Sequence, residues 1–166
     1  MRHAIAALLL LLSLHAAQAA EPLAPPAGRV VLTVDGAIAH RNAPDAAVFD
    51  MAMLDRLPQR TATMKTPWTK GDVTFSGPLA SAVLAAAGAS GTELRVVALN
   101  DYAVSIPLSD FTGLPVMLAT HQDGKPMSVR DKGPLFVIYP FDTHPELYNE
   151  KYFSLSVWQV RSITVR

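Results

Sequence analysis

Five consecutive strand-forming residues without a polar break, Leu135-Phe136-Val137-Ile138-Tyr139, constrain the fold of this chain more than any other feature. A strand with one wet face alternates apolar and polar side chains, whereas an unbroken apolar run is covered on both faces. The run is therefore expected at the centre of a sheet rather than its edge. Arg130-Asp131-Lys132-Gly133-Pro134 stands directly before it, three charges and a Gly-Pro turn. A charged loop at the mouth of a buried strand is a common place for a site. On local grounds alone, the same residues also read as a plain turn with solvated charges.

The N-terminus reads as a leader. Met1-Arg2-His3 is basic, Ala4 to Leu14 is apolar and leucine-rich, and Ala17-Gln18-Ala19 is a small-x-small cleavage pattern. This is a secretory signal peptide over 1–19, followed by a single domain over 20–166. The apolar run falls short of the roughly 20 residues that span a bilayer as a helix. No second such run follows, so no membrane anchor is expected after cleavage, and the location is periplasmic or secreted. The leader has one arginine and no twin-arginine pair, which points to the general secretory route and a chain that crosses unfolded. A large cofactor loaded in the cytoplasm would not survive that crossing.

Removing 1–19 leaves about 147 residues, one domain of ordinary size. Only Arg2 is lost among the charges, so the net charge moves from +0 to near −1. Nothing in that balance suggests a nucleic-acid surface or an anionic membrane surface. The chain has no cysteine, which excludes disulfides, thiolate nucleophiles, thiolate metal ligands and a lipoprotein anchor together. An exported protein without disulfides is held by its core, and at 50% apolar residues the chain has enough for one.

Along the chain, Arg29 to Val34 reads as the first strand, with a turn at Asp35-Gly36. Asp50 caps a short helix carrying Met51, Leu54 and Leu57, which Pro58 ends. Arg60 to Thr66 reads as a strand, and Gly71 to Phe75 as a turn with a short extended piece. The clearest helix follows, with Ser76 or Gly77 as its cap, Pro78 first inside and Gly88 as its stop. Leu94 to Leu99 and Tyr102 to Ile106 read as a hairpin about Asn100-Asp101. Ser109 to Thr112 makes at most one helical turn, and Pro115 to Thr120 is a strand. A turn falls at Gln122 to Lys125, Met127 to Val129 is extended, and Asp142 to Lys151 is irregular. Ser154 to Val165 holds the last strand or two. Two short helices against about eight strands predict an α+β domain with a mixed β-sheet.

One order of motifs stands out: Trp68…Gly71…Phe75-Ser76-Gly77, then helix, then Gly88, Asn100-Asp101-Tyr102, Asp123-Gly124-x-Pro126, and Gly133-Pro134 before an apolar strand. This order resembles the oxidoreductase molybdopterin-binding domain, the sulfite-oxidase-like fold, and within it the small exported members. The resemblance covers most of the chain from about Val30 onward. It implies a mixed α+β fold that, in full-length relatives, cradles a pterin phosphate and a molybdenum atom. In those relatives a cysteine thiolate in the strand before the Trp-Gly element ligates the metal. Here Thr61 to Thr66 occupies that segment. Threonine, a hard neutral oxygen donor, does not replace a soft thiolate.

The residues expected to line a ligand cleft are therefore Arg130, Asp131, Lys132, Asn100, Asp101, Tyr102, Trp68 and Thr66. Arg130 and Lys132 would bind an anion with backbone donors at Gly133 assisting, and Asp131 limits their field. Asn100 to Tyr102 equally reads as an ordinary hairpin followed by a core tyrosine, and Trp68 as a core cap. His40, His121 and His144 match no zinc spacing. No Gly-x-Ser-x-Gly elbow and no phosphate loop is present. No catalytic residue and no metal ligand is assigned. The reading is a non-catalytic module binding a small anion or an envelope protein partner, in a sensor or accessory role. No cofactor is expected, and molybdopterin enters by resemblance alone. The alternatives are an oxidoreductase that binds molybdopterin without a cysteine ligand, and a structural partner in the cell envelope. Arg130 and Lys132 are expected to converge with Trp68 and Asn100 on one pocket.

Overall fold

The computed structural model describes residues 23–166. The leader assigned to 1–19 lies outside the described residues.

The first strand, β1 (Val30–Gly36), alternates buried Leu32 and Val34 with wetter neighbours, as one face of a sheet requires. It pairs antiparallel with β2 (Ala46–Asp50), a strand that no sequence signal marked. Asp50 then caps α1 (Met51–Asp55), accepting from the Met53 N–H at 2.8 Å. β3 (Gln59–Lys65) pairs along its whole length with β4 (Asp72–Pro78).

β4 is longer than its sequence suggests, and the cap assignment moves with it. Ser76, Gly77 and Pro78 belong to the strand; the helix α2 (Ala80–Ala87) is capped by Leu79 instead. Gly77 is there for a close approach. A Cβ on it would run into the Leu118 carbonyl of β7 (Met117–Ala119). The residue just before β7 satisfies the first helical N–H of α2: Ala80 N–H donates to Val116 O at 2.9 Å. Gly88 ends α2 in the left-handed region at φ 63°, as its position predicts.

β5 (Glu93–Ala98) and β6 (Ala103–Pro107) form the expected hairpin, with Asp101 left-handed at φ 66° in its turn. α3 (Leu108–Gly113) is a full six residues rather than a single turn. β8 (His121–Gln122) and β9 (Lys125–Pro126) flank Asp123-Gly124, both at positive φ, the geometry of a tight hairpin turn. The expected extended piece ends at Ser128, and Val129–Asp131 fold into a 3₁₀ turn.

β10 (Phe136–Ile138) is buried on both faces as its composition predicts: Leu135 to Tyr139 are at most 1% exposed. Its position differs from expectation. It forms a two-stranded ladder with β7, bridged to Trp158 on its other side, rather than the centre of a multi-stranded sheet. The absence of polar alternation reports covered faces; it does not say what covers them. The region 142–151, read as irregular, holds a 3₁₀ turn at Pro145–Leu147, and α4 (Glu150–Leu155) follows it, capped by Asn149. The last strand, β11 (Val160–Val165), runs parallel to β1 and antiparallel to β5.

The strands form a five-stranded mixed sheet in the order β2-β1-β11-β5-β6, a four-stranded sheet β3-β4-β8-β9, and the β10-β7 ladder between them. One continuous apolar core joins all three. The architecture is α+β, with α3 and α4 added to the two short helices expected. Among the described residues no helix is long and apolar enough to cross a membrane.

Candidate functional site

Trp68 is the hub of the site. It sits in the β3–β4 turn and packs edge-on against Phe136, Phe153 and Trp158, at centroid distances of 5.3, 5.9 and 6.1 Å. Those contacts fix the indole as a partition between two clefts, one on each side of it.

The first cleft encloses about 540 Å³ and is polar. Lys70 comes from the β3–β4 turn, Lys125 from β9, and Arg130 and Lys132 from the 3₁₀ turn before β10. Two carboxylates share the wall, and each already has a partner. Asp123 Oδ1 accepts from the Thr74 N–H at 3.0 Å, and Asp131 Oδ2 accepts from the Ser128 hydroxyl at 2.7 Å. Among the described residues none of the four cations is ion-paired. Lys132 holds a left-handed backbone at φ 72°, which costs a non-glycine residue about 1 kcal/mol. Its carbonyl accepts from the N–H of Gln159, itself left-handed at φ 54°. Strained residues of this kind cluster where a loop is held for a purpose.

The second cleft encloses about 430 Å³ and is largely aromatic. Trp68 and Trp158 form one side, Phe153 and Glu150 of α4 another, and Asn100 and Tyr102 of the β5–β6 hairpin the rest. The Tyr102 hydroxyl donates to Ser154 O at 3.4 Å, tying the hairpin to α4.

The eight expected residues thus do not meet in one pocket. Arg130, Asp131 and Lys132 line the first cleft, Asn100 and Tyr102 the second, and Trp68 both. Thr66 lines neither; it is buried, with its hydroxyl bonded to that of Thr69 at 2.8 Å. Asp101 points away and pairs with Arg161 on the surface. Lys70, Lys125, Glu150, Phe153 and Trp158 were not singled out as cleft residues. Lys125 adjoins the Asp123-Gly124 turn and was legible there, but Glu150 closes the segment that reads as irregular and Phe153 falls between it and the expected last strand. The histidines are separate: His40 contacts Ala86 O at 3.0 Å, His121 the Thr120 hydroxyl at 2.8 Å, and His144 the Thr143 hydroxyl at 2.9 Å. Among the described residues no three His, Cys, Asp or Glu side chains are grouped to hold a metal ion.

The family model of the oxidoreductase molybdopterin binding domain matches residues 32–143, a span from β1 through both walls of the first cleft. The chain belongs to this family. No curated protein matches it. The molybdopterin-binding domains bind a cofactor with an anionic phosphate and a metal, and these two parts fit this chain differently. The four cations of the first cleft suit an anion. The metal's thiolate has no counterpart, because the chain contains no cysteine. Thr66 commits its hydroxyl to Thr69, and the sole sulfur on the wall of the first cleft is the neutral thioether of Met127. The residues present therefore fit an anion and do not fit a thiolate-ligated molybdenum.

Proposed function

We propose that this molybdopterin-binding-family domain is a non-catalytic, exported module that captures a small anion in the first cleft, as a sensor input or accessory subunit. The observation that supports it is the convergence of Lys70, Lys125, Arg130 and Lys132 on one open wall, where both carboxylates are already hydrogen-bonded to local donors. Charge-assisted bonds from such donors are worth about 1.5–3 kcal/mol each when shielded and less in an open cleft. Binding is therefore expected to be modest and salt-dependent. The leader read at 1–19 would deliver the domain to the periplasm or beyond.

Titration calorimetry with inorganic phosphate and with sulfate tests the reading. The expected result is saturable 1:1 binding at low ionic strength that weakens with salt and is lost in the Arg130→Ala, Lys132→Ala double variant. Absence of saturable binding at low salt overturns it. Recovery of an envelope protein in stoichiometric complex, with no anion affinity, would favour the structural role instead.

Family membership favours a second reading, an oxidoreductase that binds molybdopterin without a cysteine ligand, with hydroxyl or water completing the coordination sphere. Elemental analysis after production in a host that makes the cofactor separates the two. Stoichiometric molybdenum supports the second reading and sinks the first.

A further inference from the structure

The second cleft has the opposite electrostatic character. Four aromatic rings line it, from Trp68, Tyr102, Phe153 and Trp158. No lysine or arginine does, and Glu150 is the only charged side chain on its wall. Tyr102 and Trp158 are 50% and 39% exposed, a large aromatic surface to leave open to water.

The rings are held in place without a ligand. Trp68 contacts Phe153 and Trp158 edge-on, and Tyr102 is tethered to Ser154 O. Glu150 is the first residue of α4, which Asn149 caps by accepting from the Lys151 N–H at 3.1 Å. It brings one carboxylate to the cleft wall. An anionic ligand would meet that carboxylate with no cation on the wall to offset it. A neutral apolar ligand would desolvate the carboxylate without compensating it. A cation satisfies both. Ring quadrupoles attract it, and the carboxylate neutralises it. Trp158 already does this within the chain: Lys132 Nζ, a wall of the first cleft, stands 5.9 Å from its centroid.

We infer that the second cleft binds a small organic cation of the quaternary ammonium or alkylated amine class. The site uses the wall that Trp68 and Trp158 present to α4.

The chain has two tryptophans, and both line this cleft, so intrinsic fluorescence reports on it directly. Choline is the probe, and 3,3-dimethylbutan-1-ol, the same shape without the charge, is its control. The expected result is a saturable fluorescence change with choline, at an affinity at least about tenfold above that of the neutral alcohol. Glu150→Gln, an exposed and near-isosteric change, is expected to reduce that preference several-fold without moving the melting temperature. Equal affinity for the alcohol overturns the inference, as does the absence of a saturable response to choline. An unchanged preference in Glu150→Gln also overturns it.

Discussion

Lys132 Nζ stands 5.9 Å from the ring centroid of Trp158, so the cation of one cleft rests on the aromatic wall of the other. The side chain reaches that position from a left-handed backbone, φ 72°, which a non-glycine residue adopts at a cost. Charge and strain therefore sit on one residue, and substitution separates them.

Lys132→Gly removes the ammonium and relieves the backbone. Lys132→Ala removes the ammonium and keeps the strain. Both are expected to weaken phosphate binding about tenfold, the loss of one exposed charge-assisted contact. The glycine variant is expected to be about 1 kcal/mol more stable than the alanine variant. Urea midpoints and phosphate titrations on the pair check this.

Tyr139 is fully buried, and its hydroxyl donates to Asp110 Oδ2 at 2.8 Å. Burial first, and the bond to Asp110 second, push the phenol well above its ordinary value. The folded protein keeps this proton where the unfolded chain releases it, so the contribution is complete below about pH 10 and is lost as pH rises beyond it. Tyr139→Phe is expected to cost about 1–2 kcal/mol at neutral pH, since Asp110 keeps access to water. The same variant is expected to lose up to about 1.4 kcal/mol per pH unit of the alkaline destabilisation. Denaturant titrations from neutral to alkaline pH read both effects.

Asp50 holds the N-terminal approach to the fold. Its Oδ2 accepts from Gly28 N at 2.6 Å and Ala27 N at 2.8 Å, while Oδ1 caps α1 through Met53 N. The Gly28 and Met53 N–H groups hold its carboxyl below the ordinary carboxylate value, outweighing the opposing effect of burial. A lowered carboxyl stabilises the fold above its unfolded pKa and loses that contribution as pH falls through the folded one. Asp50→Asn is expected to lower the melting temperature at neutral pH. The gap to the parent protein is expected to narrow as the pH drops below about 4.

Gly77→Ala places a Cβ against the Leu118 carbonyl, which is backbone and does not move aside. The expected cost is about 3 kcal/mol, at the upper end for overpacking. Because β4 and β7 carry the core between the clefts and α2, the loss is expected to be global. A single cooperative transition at lower denaturant, seen by both fluorescence and circular dichroism, checks it.

Local chemistry was legible wherever a few adjacent residues decide a conformation. Asp50 reads as a cap, Gly88 as a stop and Asp123-Gly124 as a turn, because each acts on backbone groups within four residues. The burial of Leu135 to Tyr139 was legible for the same reason, as a pattern along one strand. The extent of β4 was not. Ser76, Gly77 and Pro78 look like a helix start, and only their pairing with β3 and the approach of Leu118 keep them extended. The helix at Glu150–Leu155 was not legible because α4 is short and draws its stability from the rings it packs against.

The sequence by itself determined the family, the α+β class, the absence of any thiolate for a metal, and the charged turn ahead of the buried strand. These depend on residue identity and order. The division of the site was decided by the tertiary structure alone. Trp68, Arg130 and Asn100 are far apart in the chain, and whether they share a pocket depends on where one indole comes to rest. Phe136, Phe153 and Trp158 place it between two clefts, leaving cations on one side and an aromatic wall with Glu150 on the other. Packing among rings from three distant segments has no signature in any one of them.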